Sequence, residues 1–397
     1  MTRPETYDAV IVGGGPAGAT AAEKLAKTGK SVLLLDKAGR IKPCGGAIPP
    51  RLIRDFEIPA SLLCARIRSA RIIAPSEREV DMPIDGGYVG MVDREVFDEF
   101  LRDRAAAAGA VRKTGRYERI ERDDDGTAVV HYASGTRTDP GPDETVRARF
   151  VLGADGARSK VAQQEVPGSE AKRWVYAYHE ILEAPQNGTF DGQRCDVVYD
   201  GRYSPDFYGW VFPHGDTVSV GTGSAFKGFG LRGAVQGLRC AAGLDRSATV
   251  RREGAPIPLQ PLKRWDNGKD VLLAGDAAGV VAPASGEGIY YAMCSGQHAA
   301  EAAETFLATQ DARDLRAARR RFMKQHGRVF WILGMMQYFW YQNDKRRERF
   351  VSICRDPDVQ KLTWEAYMNK ELVRARPAAH ARIFFKDVAH LLGFVSP

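Results

Sequence analysis

The chain has 397 residues, 44% of them hydrophobic, and a formal net charge of +7, enough length and apolar content for two sizeable domain cores. Its six cysteines, at positions 44, 64, 195, 240, 294 and 354, form no C-x-x-C and no metal spacing with the seven histidines, so a reducing compartment and no structural zinc are expected. No apolar run approaches the roughly 20 residues of a spanning helix, and although a basic chain invites nucleic acid, no recognised fold or basic-aromatic groove pattern supports that partner.

The first predicted strand begins a few residues in, which leaves no room for a signal or transit peptide, so the expectation is a cytoplasmic protein, or a chain that begins at a mature end. That strand, Tyr7-Asp-Ala-Val-Ile-Val, runs into Gly13-Gly-Gly15-Pro-Ala17-Gly18, a helix, and a second apolar run from Val32 to Leu35 that closes on Asp36. Gly13 permits a sharp turn, Gly15 lets a pyrophosphate approach the backbone, and Gly18 allows helix and strand to pack closely; the helix N-terminus offers free N–H groups to phosphate. Asp36 lies about the expected 20 residues on, where it accepts both ribose hydroxyls and repels a 2′-phosphate. The nucleotide expected here is therefore FAD or NAD rather than NADP.

A glycine-paired turn follows at Lys42-Pro-Cys44-Gly45-Gly46, and a helix is predicted from Arg94 in Met91-Val-Asp-Arg94-Glu-Val-Phe. Arg122–Thr127 and Asp139–Glu144 read as turns of a hairpin excursion. Phe150-Val-Leu-Gly-Ala-Asp155-Gly156 is again a strand ending in Asp-Gly, with Arg158 close behind. From Lys172 to Pro258 the chain alternates as β-structure, and Tyr208, Trp210 and Phe212 fall on one face of a strand. Two readings of that face stand: the wall of a substrate cavity, or the inward side of a β-core.

Asp270-Val-Leu-Leu-Ala-Gly275-Asp276 is a buried strand running into Gly-Asp, and Ser285-Gly286-Glu287-Gly288 then opens a long helix at Ile289. A carboxylate at a strand end beside a helix N-terminus suits a ribityl hydroxyl, which FAD has and NAD lacks. Further on, the cationic run Arg313–Arg328, the aromatic run Val329–Tyr341 and the block Lys345–Arg349 together suit either an interfacial membrane segment over 313–349 or a helix packed on the nucleotide domain. Arg374–His380 and the helix predicted from Arg382 read as packing elements.

With these three motifs the chain resembles the glutathione-reductase-type flavoproteins of the aromatic-hydroxylase branch, and that resemblance implies an FAD contact at Arg94. Lys42-Pro-Cys44-Gly45-Gly46-Ala-Ile-Pro and Pro205-Asp-Phe-Tyr208-Gly-Trp210-Val-Phe-Pro213 are similar to the two signatures of the geranylgeranyl reductases. Gly90-Met-Val-Asp-Arg-Glu-Val and Asp358-Val-Gln-Lys-Leu-Thr-Trp-Glu-Ala-Tyr narrow it to the chlorophyll and bacteriochlorophyll branch, which reduces three of four double bonds of a geranylgeranyl tail to give phytyl. The archaeal lipid-saturating branch shares the first two signatures.

The resemblance implies an α/β fold: an FAD-binding Rossmann-like domain over 1–75, 90–171 and 259–312, an inserted β-rich substrate domain over 76–89 and 172–258, and a helical C-terminal cap over 313–397. Expected cofactor contacts are Gly13, Gly15, Ala17, Gly18, Asp36, Lys37, Cys44, Gly45, Arg94, Asp155, Gly275, Asp276, Gly286, Gly288 and Ile289. Cys44, Tyr208 and Trp210 are the catalytic candidates, because reducing an isolated alkene needs a proton source and a face that stabilises positive charge. The resemblance implies geranylgeranyl diphosphate or geranylgeranylated bacteriochlorophyll as substrate, and a cytoplasmic protein that is free or peripheral on the photosynthetic membrane. No second glycine fingerprint is present, so NADPH as electron donor follows from the family alone, and reduced ferredoxin suits the basic surface equally. A flavin monooxygenase, an archaeal-type isoprenoid lipid saturase and a non-catalytic pigment-enzyme scaffold are the remaining alternatives.

Overall fold

A computed structural model of the chain describes residues 4–37, 41–136, 138–170, 173–186, 188 and 190–370. The expected boundary at Lys172 and the C-terminal stretch with its predicted helix lie outside these residues. Two compact units alternate along the chain: Met1–Lys42, Arg94–Trp174 and Pro256–Phe330 form the first, and Pro43–Asp93, Val175–Ala255 and Trp331–Pro397 the second.

The first unit is built on a parallel sheet. Thr6–Val12 lies between Val32–Asp36 and Pro140–Gly153, with Val111–Arg122 beyond the former and Val271–Leu273 beyond the latter. Ala128–Gly135 pairs antiparallel with both long flanking strands. The central runs are continuous Val, Ile and Leu, as strands covered on both faces require, and Val10, Ile11, Leu33, Leu34, Val151 and Leu272 are buried. The expected turn at Asp139–Glu144 is a correction: Pro140 and Asp143 already pair with Gly135 and Ala133, so the strand begins there. Its residues read as turn formers, but the strand runs through them with a register irregularity between Pro140 and Asp143.

The helix Pro16–Lys27 crosses the helix Ile289–Thr309 at close range. A Cβ on Gly296 would lie 2.2 Å from the Ala17 carbonyl oxygen, and one on Gly275 would lie 2.9 Å from Ala17 Cβ. Small residues at 17, 275 and 296 therefore set how deeply the two helices and the last strand approach.

The second unit carries a seven-stranded sheet in the order Thr249–Pro258, Trp174–Glu183, Thr217–Ser224, Gly209–His214, Arg194–Val198, Ser69–Ile73, Glu79–Pro83. Val211 faces one side, into a cluster with Val218, Val220, Val235 and Leu238, the last two from the helix Leu231–Ala241. Trp210 and Phe212, one residue either way, face the other side, where Phe212 packs on Ile67, Ile84, Val89 and Met91. A three-stranded sheet, Ala47–Ile48, Val89–Val92 and Leu63–Ile67, completes this unit.

The unit boundaries depart from the expected domains in one respect above all. Residues 43–75 belong with the second unit, because Ser69–Ile73 pairs in parallel with Arg194–Val198 and antiparallel with Glu79–Pro83. The C-terminal helices likewise divide between the units at Phe330 and Trp331.

Candidate functional site

In the first unit, the fingerprint glycines sit where a side chain has no room. Gly13 has φ +106°, and a Cβ there would meet the Ala154 carbonyl oxygen at 2.3 Å; one on Gly18 would meet the Gly13 carbonyl oxygen at 1.9 Å. Gly13 donates its N–H to the Leu35 carbonyl and Ala154 donates to that of Val12, so the first turn and the Asp155 strand end are locked together. Gly15 differs: nothing lies within 4 Å of its Cβ position. It caps the helix Pro16–Lys27, which has no side-chain cap and no acidic residue in its first turn. Open space facing uncapped N–H groups at a positive helix end fits a pyrophosphate.

Asp36 ends its strand beside this turn, and Gly14 is held to a bare Cα by Asp36 Cβ and Arg102 Cδ, each 2.9 Å from the Cβ position. Burial pushes the Asp36 carboxyl above the ordinary carboxylate range, against the opposing pull of the Gly14 N–H and Arg102. Arg102 Nη1 donates to Asp36 Oδ2 and to the Gly14 carbonyl, both at 3.3 Å. Neither Gly14 nor Arg102 was among the expected contacts. Arg102 lies two turns beyond Arg94 on the helix Arg94–Ala107, a spacing that puts both on one face.

Arg94 is buried, and its guanidinium makes a bidentate pair with Asp98, with both bonds at 2.7 Å. Asp155 is likewise engaged: its carboxylate accepts from the Ser159 hydroxyl, from Lys160 N at 2.7 Å and from Val161 N at 3.3 Å, which closes the start of the helix Lys160–Glu165. Burial nevertheless raises its pKa. Lys37 follows Asp36 and is exposed.

The late motif folds as the strand Val271–Leu273, then a 3₁₀ turn over Gly275–Ala278, with Gly275 at φ +63°. Asp276 Oδ2 pairs with Lys42 Nζ, a second partner outside the expected contacts. Gly286 adopts φ +65°, and Gly288 caps the helix Ile289–Thr309 with its would-be Cβ 3.8 Å from Asp276 Oδ1. The Asp276 carboxylate thus sits beside a second helix start, an arrangement that fits a ribityl hydroxyl. Ile289 is buried one residue on.

Cys44 and Gly45 fall in the second unit, with Tyr208 and Trp210. Gly46 donates its N–H to Cys44 Sγ at 3.4 Å. A Cβ on Gly45 would touch the Phe212 ring at 3.3 Å, and one on Gly46, at φ +71°, would strike His214 Nε2 at 2.5 Å. The glycine pair therefore presses the Cys44 turn onto the strand that carries the aromatic face. Along that strand, Tyr208 and Trp210 rings are 6.0 Å apart and Trp210 and Phe212 rings 6.3 Å apart. Tyr199 extends the run, 6.0 Å from Tyr208 and 5.1 Å from Tyr341.

Burial raises the Tyr208 hydroxyl well above an ordinary phenol, which keeps it neutral and makes it a weaker proton donor. Burial lowers His214, whose Nδ1–H donates to the Phe212 carbonyl at 3.0 Å. The late signature segment is the helix Pro357–Asn369. Its Trp364, Tyr367 and Met368 pack on the same cluster as Phe212.

Comparison with known proteins bears on the family and the fold. Residues 11–58 match the NAD(P)-binding Rossmann-like domain and residues 64–183 the FAD binding domain. A geranylgeranyl diphosphate reductase of Rhodobacter capsulatus is 57% identical over 98% of this chain and 99% of its own length. A chloroplastic geranylgeranyl diphosphate reductase of Oryza sativa is 35% identical over 96% of this chain and 85% of its own. Among solved structures, a geranylgeranyl bacteriochlorophyll reductase-like protein of Thermoplasma acidophilum superimposes with a TM-score of 0.80 at 22% identity, covering 94% of this chain and 99% of that one; at that identity the likeness speaks for the fold.

Proposed function

The chain belongs to the geranylgeranyl reductase family, and on that footing we propose that it is an FAD-dependent reductase that saturates three double bonds of a geranylgeranyl chain to give phytyl. Its substrate is geranylgeranyl-(bacterio)chlorophyll or geranylgeranyl diphosphate, and NADPH supplies the electrons. The observation that carries the reading at residue level is the aromatic face Tyr208–Trp210–Phe212 with the Cys44 turn pressed against it.

Gly13, Gly15, Gly18, Asp36, Asp276 and Gly288 hold the cofactor: the uncapped helix takes the pyrophosphate, Asp36 the ribose and Asp276 the ribityl chain. Flavin, when bound, supplies a hydride. An isolated alkene accepts hydride poorly unless a proton adds to the other carbon, and positive charge then grows on the more substituted one. Aromatic π-faces stabilise such charge by about 0.5–2 kcal/mol each, more where water is excluded. We assign the prenyl chain to the Tyr208–Trp210–Phe212 face on this ground. Cys44 is the stronger candidate to pass the proton, directly or through a water, since burial disfavours release from Tyr208.

Among the described residues, no helix is long and apolar enough to cross a membrane. The helix Arg316–Trp340 contains no acidic residue, and Arg316, Arg320, Lys324 and Arg328 are exposed along it. Trp331 and Tyr338, exposed by 64% and 66%, continue the same face with Met335. We propose that this face lies on an anionic membrane, with arginines at phosphates and aromatics at headgroup depth. Flotation with vesicles containing anionic lipid tests it; equal recovery of the Trp331→Ser/Tyr338→Ser variant would refute it.

The function itself is tested anaerobically, by giving the flavin-loaded protein NADPH, or reduced ferredoxin, with each prenyl substrate and following tail mass. Successive two-hydrogen gains support the reductase. No gain with either donor or with dithionite, alongside oxygen-dependent NADPH consumption, would replace it with the monooxygenase reading.

A further inference from the structure

Beside the aromatic face of the second unit, on the same side of its sheet, runs a line of hydrogen bonds that no signature motif includes. Trp210 Nε1–H donates to Ser219 Oγ at 3.1 Å. Ser219 Oγ is 2.9 Å from His179 Nδ1, and His179 Nε2 is 3.0 Å from Glu253 Oε2. The other Glu253 oxygen is 2.9 Å from Arg251 Nε. Four strands contribute: His179 and Trp210 each register opposite Gly221, on either side of the strand Thr217–Ser224 that holds Ser219, and Arg251 and Glu253 lie on Thr249–Pro258.

The indole N–H can only donate, so Ser219 Oγ accepts it, and an ionised Glu253 carboxylate can only accept, so His179 donates to it from Nε2. In the relay inferred below, the Ser219 hydroxyl turns its own hydrogen to His179 Nδ1, 2.9 Å away. Burial raises the Glu253 carboxyl, but the hydrogen bond from His179 and the neighbouring Arg251 outweigh it and hold the group below the usual range, ionised. Ser219 is fully buried and His179 2% exposed, so the line runs through a medium where hydrogen bonds polarise one another.

The indole is also fixed in place. A Cβ on Gly221 would fall 2.3 Å from Trp210 Cζ2 and 2.5 Å from His179 Cβ, so the ring rests on bare backbone, tilted 50° to the imidazole at 6.2 Å.

We infer that Ser219, His179 and Glu253 are positioning residues for the reduction: their carboxylate-terminated relay orients the Trp210 indole and draws on its N–H, making the ring a better face for positive charge on the prenyl chain. This rests on the assignment of that chain to the aromatic face. Pulling the N–H toward an acceptor increases electron density in the indole ring, and the attraction of a cation for the ring rises with it.

The test compares wild type, Glu253→Gln, His179→Gln, Trp210→Phe and the double variant H179Q/W210F, each loaded with FAD, by kcat and KM for tail reduction, FAD content, melting temperature and indole N–H NMR. The Trp210 resonance is the one missing from the Trp210→Phe spectrum. Expected are a fall in kcat of about three- to tenfold in Glu253→Gln and His179→Gln with KM and FAD content unchanged, an upfield move of the Trp210 resonance, and no further loss when His179→Gln is added to Trp210→Phe. An equal loss from His179→Gln in both backgrounds, or an unmoved resonance, would leave a merely structural network and overturn the inference. Glu253→Gln, nearly isosteric, keeps the test open if the His179 variants fail to fold. Should Trp210→Phe retain wild-type kcat, the assignment of the prenyl chain to this face falls, and the inference with it; intact kcat in Trp210→Phe and loss in Trp210→Phe separate the two failures.

Discussion

The nucleotide cradle of the first unit and the aromatic wall of the second are built on opposite principles. The cradle consists of backbone and missing side chains: Gly13, Gly14 and Gly18 leave less than 3 Å to any added carbon, so the surface proposed for the cofactor is N–H groups and two carboxylates. The wall consists of large side chains whose places are set from behind, Val211 anchoring one side of the strand while Trp210 and Phe212 occupy the other. At those three glycines the cradle leaves no room for a methyl group. A side-chain wall degrades by degrees.

The largest effect expected is at Gly18→Ala, where the new carbon would fall 1.9 Å from the Gly13 carbonyl oxygen. The variant should emerge colourless and unstable, as read by absorbance and melting temperature; a yellow, stable Gly18→Ala protein would end the contrast. Asp276→Asn keeps the shape but removes a charge that pairs with Lys42. Hydrogen bonds to charged groups contribute about 1.5–3 kcal/mol, so FAD should bind about 10- to 100-fold more weakly, measured by fluorescence titration of the apoprotein. Phe212→Leu sharpens the other side: kcat should fall about two- to fivefold with FAD affinity unchanged.

The smallest effect concerns His214. Burial depresses its pKa, so the folded state binds fewer protons than the unfolded chain between the two values. Its contribution to stability is present above about 6.5, the ordinary histidine value, and is lost as the pH falls through the folded value. Melting temperatures of His214→Gln should fall less steeply than wild type below that pH; parallel curves would remove His214 from the account.

The cradle was legible because its determinants are local: a glycine turn between an apolar run and a helix, then a carboxylate after a second apolar run. Gly275, Asp276 and Gly288 repeated the same logic. What escaped was side-chain company from elsewhere. Arg102 reaches Asp36 from another helix, and Lys42 reaches Asp276 from a loop, and neither has a marker in its own neighbourhood. The alternation of Tyr208, Trp210 and Phe212 was equally plain, since a strand has a period of two. His179, Ser219 and Glu253 were not, because their meeting depends on how three strands register, which no single stretch encodes. The placement of 43–75 was missed for the same reason: a parallel pairing between Ser69–Ile73 and Arg194–Val198 leaves no local turn to read.

The bond between Lys42 and Asp276 joins residues 234 positions apart. A ribosome adding roughly 5–20 residues per second needs on the order of 10–50 s to pass from one to the other. Throughout that interval the glycine segment has been synthesised while Asp276 has not, and the strand end at Ala154 that locks the Gly13 turn is itself added only part of the way through. In the proposed reading, the residues that hold the two ends of the cofactor therefore coexist only once the chain has passed residue 276.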